Sequence, residues 1–197
     1  MKDHGADKEP HFEWLFSQWY RGAENQATEA LVKWFCYSSS FVQRQFLTKL
    51  CALKKVPRKK FAWDELELQA KSKKSVPDAK IWLEQKFVLL VEGKVRQDTV
   101  SVKQLKRHFK GVGFKPQKTN KKLEIKLLLL TPDWGPPKRL EKLADGYRNN
   151  VVWVNWQHIY HFLTEDLDTK ISADRLLRDA MVDFLRAHDS LKKYFHT

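Results

Sequence analysis

One stretch constrains this chain more than any other: SVPDAKIWLEQKFVLLVEGKV, from Ser75 to Val95. Two β-like apolar runs, Asp78 to Leu83 and Phe87 to Val95, flank a short polar turn at Glu84-Gln85-Lys86. The pattern predicts two consecutive strands of a sheet folded back as a hairpin. In a strand, side chains at i and i+2 point to the same face, so Glu92 and Lys94 project together. A tight hairpin brings Asp78 beside them. Two carboxylates and an ammonium converging on one point suit a hard divalent cation and an attacking water, the arrangement expected of a metal-dependent phosphodiesterase.

Each residue also has a plainer reading. Asp78 follows a proline, and Pro-Asp is a common turn dipeptide. Glu92 interrupts an apolar run, where an unpaired buried charge costs several kcal/mol unless a cation relieves it; the alternative is a strand-end glutamate reaching solvent. Gly93 permits close approach of the backbone to a ligand or marks a β-bulge. Lys94 orients or deprotonates the attacking water, or stabilises charge on the phosphorane; the alternative is a solvated strand-end lysine.

With Pro77, Asp78, Glu92 and Lys94 in place, and Phe87-Val88-Leu89-Leu90-Val91 leading into Glu92, the pattern resembles the PD-(D/E)xK nuclease superfamily. The resemblance spans residues 20–165 and implies an α/β fold with a mixed central sheet flanked by helices, a restriction-endonuclease-like core. It implies Mg²⁺ or Mn²⁺ as cofactor, held by Asp78, Glu92 and the carbonyl of Gly93. Glu24-Asn25-x-x-Thr28, opening a helix, resembles the family's additional acidic position, which makes Glu24 a further ligand; the plainer reading is a favourable acid in a first helical turn. Glu29 competes for that role but falls on another helix face. Gln104 resembles the family's glutamine after the strand, which would hold substrate or the attacking water. Lys103, Lys106, Arg107 and Lys110 share its helix. Lys103, Lys106 and Lys110 recur at i, i+3, i+7, a face able to track a phosphate backbone or simply to meet solvent.

The rest of the chain fits that frame. Helices come first, then the hairpin, then alternating helix and strand, which predicts a mixed sheet with helices on both sides. Leu123 to Leu130 and Val151 to Val154 are apolar enough for strands buried on both faces. Residues 1–10 are polar and expected to fray; residues 11–165 form the nuclease-like domain. From Asp168 to Tyr194 a long amphipathic helix is expected, its apolar face (Leu176, Leu177, Met181, Phe184, Leu185) covering the sheet or forming a homodimer. A net charge of +13 and a pI of about 9.7 favour a polyanionic partner, DNA before RNA.

Cys36 and Cys51 lie in apolar helical patterns, as reduced core residues do. No signal-peptide core and no membrane-spanning run is present, so a cytoplasmic protein is expected. Pro132-Asp133 repeats the Pro-Asp dipeptide without an acid-x-Lys strand behind it and reads as a strand-end turn. His158 and His161 have no further ligands nearby for zinc. Trp134, Trp153 and Trp156 read as core or turn aromatics rather than base-stacking platforms. The leading function is a metal-dependent nuclease. The competing classes are a non-catalytic nucleic-acid-binding module and a partner-dependent subunit of a defence or restriction assembly.

Overall fold

The computed structural model describes residues 23–53, 56, 66–68, 77–83, 87–114 and 123–195. The segment expected to fray, residues 1–10, and the hairpin turn at 84–86 lie outside the described residues.

Among the described residues five strands make one sheet in the order β1-β2-β3-β4-β5. They are β1 (Leu66–Leu68), β2 (Ala79–Leu83), β3 (Phe87–Gly93), β4 (Glu124–Thr131) and β5 (Val151–Asn155). The first three pair antiparallel, while β3-β4 and β4-β5 are parallel. A parallel pair requires a crossover. Between β3 and β4 it is the helix Val102–Gly111, called α3 below. The α/β class with a mixed sheet between helices is as the sequence predicts.

The alternation of β3 sorts the core. Phe87, Leu89 and Val91 face a layer built by α1 (Ala23–Tyr37), α2 (Ser40–Gln45), α5 (Trp156–His161) and α6 (Ser172–Ala187). Val88 and Leu90 face α3 and the 3-10 turn Lys138–Lys142, with Tyr147 of the short α4 (Asp145–Arg148) packed alongside. All seven residues of β3 are buried, so any polar side chain on it must find its partners inside the protein.

α1 turns its Ala27, Ala30, Leu31, Trp34 and Phe35 inward, a helical stripe that leaves Glu24 at its first turn. α3 is started by Ser101, whose Oγ accepts from the Gln104 N–H, and is docked by Leu105 and Phe109. Truncating Phe109 to alanine would cost about 3–5 kcal/mol and loosen the helix that carries Gln104.

Three expectations need correcting. β5 is not buried on both faces: it is the last strand of the sheet, and Val151, Val152 and Trp153 are half-buried. The C-terminal helix is shorter than Asp168–Tyr194; α6 stops at Ala187, and a 3-10 turn, Lys192–Tyr194, follows. Its inward stripe is Leu177, Met181 and Leu185 with Val182, at spacings of four, which turns Leu176 outward. That stripe belongs to the core, where α6 packs against α1. Ser39 fixes its start, donating from N and Oγ to Asp174 at 2.8 and 2.6 Å. Cys36 and Cys51 are buried and form no disulfide, and burial pushes the Cys51 thiol up to about 12. Among the described residues no helix is long and apolar enough to cross a membrane.

Candidate metal centre

The hairpin register decides the centre. Ala79 pairs with Val91, so Asp78, one residue earlier, lies across from Glu92 at the strand end. Asp78 is held there by the Gly93 N–H, which donates to Oδ2 at 2.8 Å, and by a longer contact from Thr28 Oγ1 at 3.4 Å. Thr28 also donates back to the Glu24 carbonyl at 3.2 Å, so one helical turn of α1 carries both the residue that touches Asp78 and the third acid.

Glu24, Asp78 and Glu92 each offer a carboxylate oxygen, and the three oxygens lie within 4.8 Å of one another. Lys94 sits among them: Nζ is 2.6 Å from Glu24 Oε1 and 2.7 Å from Glu92 Oε1. Its backbone is clamped too. The Lys94 N–H donates to the Leu130 carbonyl at 2.8 Å, and Trp156 Nε1 donates to the Lys94 carbonyl at 2.7 Å.

The two buried acids have opposite environments. Glu92 is 0 % exposed. It accepts from Lys94, from Gln104 Nε2 at 2.6 Å and, through Oε2, from His108 Nε2 at 2.9 Å. Burial pushes its pKa up, but the His108 hydrogen bond and the Lys94 charge outweigh that and hold it below the usual glutamate value. Glu92 is therefore ionised, and His108 carries its proton on Nε2 to serve it. Lys94 shows the mirror image: burial favours loss of its proton, yet Glu92 and Glu24 hold its pKa above the ordinary lysine value. It is a fixed ammonium in this arrangement.

Asp78 is 8 % exposed and short of donors. Burial is the largest cause and the neighbouring Glu92 charge the second; together they raise its pKa to about 7 against the pull of the Gly93 N–H and Lys94. A buried carboxylate that resists ionisation beside two others is what a missing positive charge would correct. A divalent cation shared by Glu24, Asp78 and Glu92 fits that deficit, and an all-oxygen set suits Mg²⁺ or Mn²⁺.

Gly93 is not a bulge. It continues the β3-β4 ladder opposite Leu130, and what approaches it is Thr28: a Cβ at this position would fall 2.0 Å from Thr28 Oγ1. Its small size is what lets α1 bring Glu24 to the end of β3. Lys103, Arg107 and Lys110 are exposed on α3, whereas Lys106 is half-buried. Glu29 does not join the centre; it pairs with Lys33 at 2.6 Å along α1. The acid trio is the single ligand-like cluster among the described residues, and His158 and His161 are exposed outside it.

Two side chains that complete the centre are not marked by the motif. His108 follows Gln104 by four, so one helical face presents both to Glu92; that spacing was the available signal. Trp156 is buried, as expected of a core aromatic, and no sequence pattern points its ring nitrogen at Lys94. No family model matches the chain, and no curated protein and no solved structure matches it either.

Proposed function

We propose that this protein is a Mg²⁺- or Mn²⁺-dependent nuclease that hydrolyses phosphodiester bonds, DNA being the favoured substrate. The observation that carries the reading is Asp78: a buried carboxylate left short of donors, within 4.8 Å of two further carboxylates, in a chain of net charge +13. Glu24, Asp78 and Glu92 would hold the cation, with the Gly93 carbonyl as a further oxygen. Bound there, it would polarise the scissile phosphate and lower the pKa of an attacking water. Lys94, a fixed ammonium, orients that water and offsets charge on the phosphorane. Gln104 and His108 hold Glu92 ionised and in place. Exposed Lys103, Arg107 and Lys110 lie on the same helix as Gln104, where a phosphate backbone would pass. The mixed sheet between helices is compatible with the restriction-endonuclease-like core that the motif resembles.

One observation favours a second reading. Lys94 already bridges Glu24 and Glu92, so most of the cluster is charge-compensated without a metal. A non-catalytic nucleic-acid-binding module, or a subunit that needs a partner, would keep such a network for structure.

The test is cleavage of circular single-stranded and supercoiled double-stranded DNA in Mg²⁺, Mn²⁺ or EDTA, with Asp78→Ala and Lys94→Ala beside the wild type. Metal-dependent cutting that disappears in both variants is expected. Cutting that survives EDTA or either substitution overturns the mechanism. A folded wild type that binds Mn²⁺ and does not cut points to a partner-dependent enzyme; one that fails to bind Mn²⁺ points to the non-catalytic module.

A further inference from the structure

The end of the sheet that carries Glu92 and Lys94 also carries a large apolar side chain that the fold does not use. Trp134 is 70 % exposed, on the loop that leaves β4. A single exposed aromatic says little by itself; its position and mounting decide the matter. β4 is hydrogen-bonded alongside β3, with Leu130 opposite Gly93. Trp134 follows Leu130 by four residues, so at most ~14 Å of extended chain separates its backbone from that of the partner of Gly93. Both lie at the carboxyl ends of parallel strands, where open α/β sheets bind ligands.

The loop is fixed, and its ties run to the segment that follows Lys94. Gln97 Nε2 donates to the Pro132 carbonyl at 3.3 Å and the Asp98 N–H to Asp133 Oδ1 at 3.0 Å. The Asp133 N–H turns back to Thr131 Oγ1, and Asn155 Nδ2 reaches the Asp133 carbonyl. Arg139 Nη1 donates to the Val100 carbonyl at 3.2 Å. Pro132, Pro136 and Pro137 restrict the remaining backbone freedom. Trp134 is thus presented on a rigid mount, with little ordering entropy left to lose on binding. The exposed charges of the two tied segments are Arg96, Lys138, Arg139 and Lys142 against Asp98 and Glu141, an excess of cations that complements a polyanion.

We propose that Trp134 is a stacking platform for an unpaired nucleobase of the strand whose phosphate lies at the Glu24/Asp78/Glu92 centre. This gives the protein a preference for single-stranded or locally opened nucleic acid over continuous duplex, and it rests on the nuclease reading above. An indole face accepts any base, so the contact selects strand state and not sequence. The flanking cations hold the backbone on either side.

The experiment is equilibrium binding of the full chain, in EDTA so that no cleavage occurs, to a fluorescein-labelled oligothymidylate and to a blunt duplex of equal length. An oligonucleotide carrying one 2-aminopurine reports stacking directly through its quenching. Trp134→Ala should weaken single-strand binding about 5- to 150-fold, the usual range for one stacked base, and abolish the quenching. Trp134→Phe should retain most of both, and duplex affinity should change little in either variant. Trp134 is exposed, so both variants should fold as the wild type does. Unchanged single-strand affinity and quenching in Trp134→Ala, in a protein that cuts DNA with Mg²⁺, overturns the stacking proposal and leaves the nuclease reading standing. Trp134-dependent binding without any metal-dependent cutting overturns catalysis and leaves the platform. Absence of binding to both oligonucleotides, in a protein that also fails to cut DNA with Mg²⁺, overturns the two together.

Discussion

Replacing Asp78 by asparagine should stabilise the metal-free protein at neutral and alkaline pH. The side chain keeps its shape, and its carbonyl oxygen can still accept from the Gly93 N–H at the 2.8 Å site. What disappears is the ionisation that burial and Glu92 oppose. In the unfolded chain the carboxyl titrates near 3.8; in the folded one it titrates near 7. Well below 3.8 it is protonated in both states and imposes no penalty. As the pH rises from about 4 to about 7 the unfolded state releases the proton and the folded state does not, so stability falls across that window and levels off above it. The gap between 3.8 and about 7, at about 1.4 kcal/mol per pH unit, is worth about 4 kcal/mol. For a chain of 197 residues this corresponds to a Tm difference on the order of 10 °C. Asp78 and Glu92 interact, so the figure belongs to the pair. The assay is urea unfolding of wild type and Asp78→Asn from pH 4 to 8.5 in EDTA. The two should coincide at pH 4 and diverge in favour of the variant above pH 7. Equal stabilities at pH 8, or a difference that does not change with pH, would refute the claim that Asp78 lacks a counter-charge.

The remaining expectations concern its neighbours. Excess Mg²⁺ or Mn²⁺ at pH 8 should raise the wild-type Tm, by about 2.7 kcal/mol of stability at a hundred times Kd, and should stabilise Asp78→Asn much less; equal stabilisation of both would place the ion elsewhere. Lys94→Met, which keeps the stem and removes the ammonium, leaves Glu92 buried without its cation and should cost about 3–5 kcal/mol in EDTA by urea unfolding. His108→Ala removes the donor to Glu92 Oε2 and should weaken Mn²⁺ binding about 10- to 100-fold in a calorimetric titration. Gly93→Ala drives a methyl to 2.0 Å from Thr28 Oγ1 and should destabilise by about 1–3 kcal/mol. Adding Thr28→Ala should restore most of that loss, and no recovery would mean that the crowding lies elsewhere.

Much of the centre was legible because strand geometry is local. A period of two, a short turn and an acid at each outer end are enough to put Asp78 across from Glu92, and the observed pairing of Ala79 with Val91 does so. α3 was legible for the same reason: Leu105 and Phe109 mark its buried side, which leaves Gln104 near the end of β3. The wider reach has no such local basis. The motif resemblance alone puts Glu24 in the ligand set, and it meets Lys94 across seventy positions because α1 packs close enough to place Thr28 against Gly93. His108 meets Glu92 because the rotation of α3 aims it there.

What the sequence determined by itself, then, is the hairpin, the acid-and-lysine spacing and the alternating pattern that gives a mixed α/β sheet, because backbone periodicity alone enforces them. The tertiary structure decided which helix face meets which strand end. That choice made Leu176 an outward residue and β5 an edge strand, brought Glu24, His108 and Trp156 to the centre, and left Trp134 exposed at the same end of the sheet. Such outcomes depend on how side chains from distant segments fill a shared volume, and no local pattern encodes that.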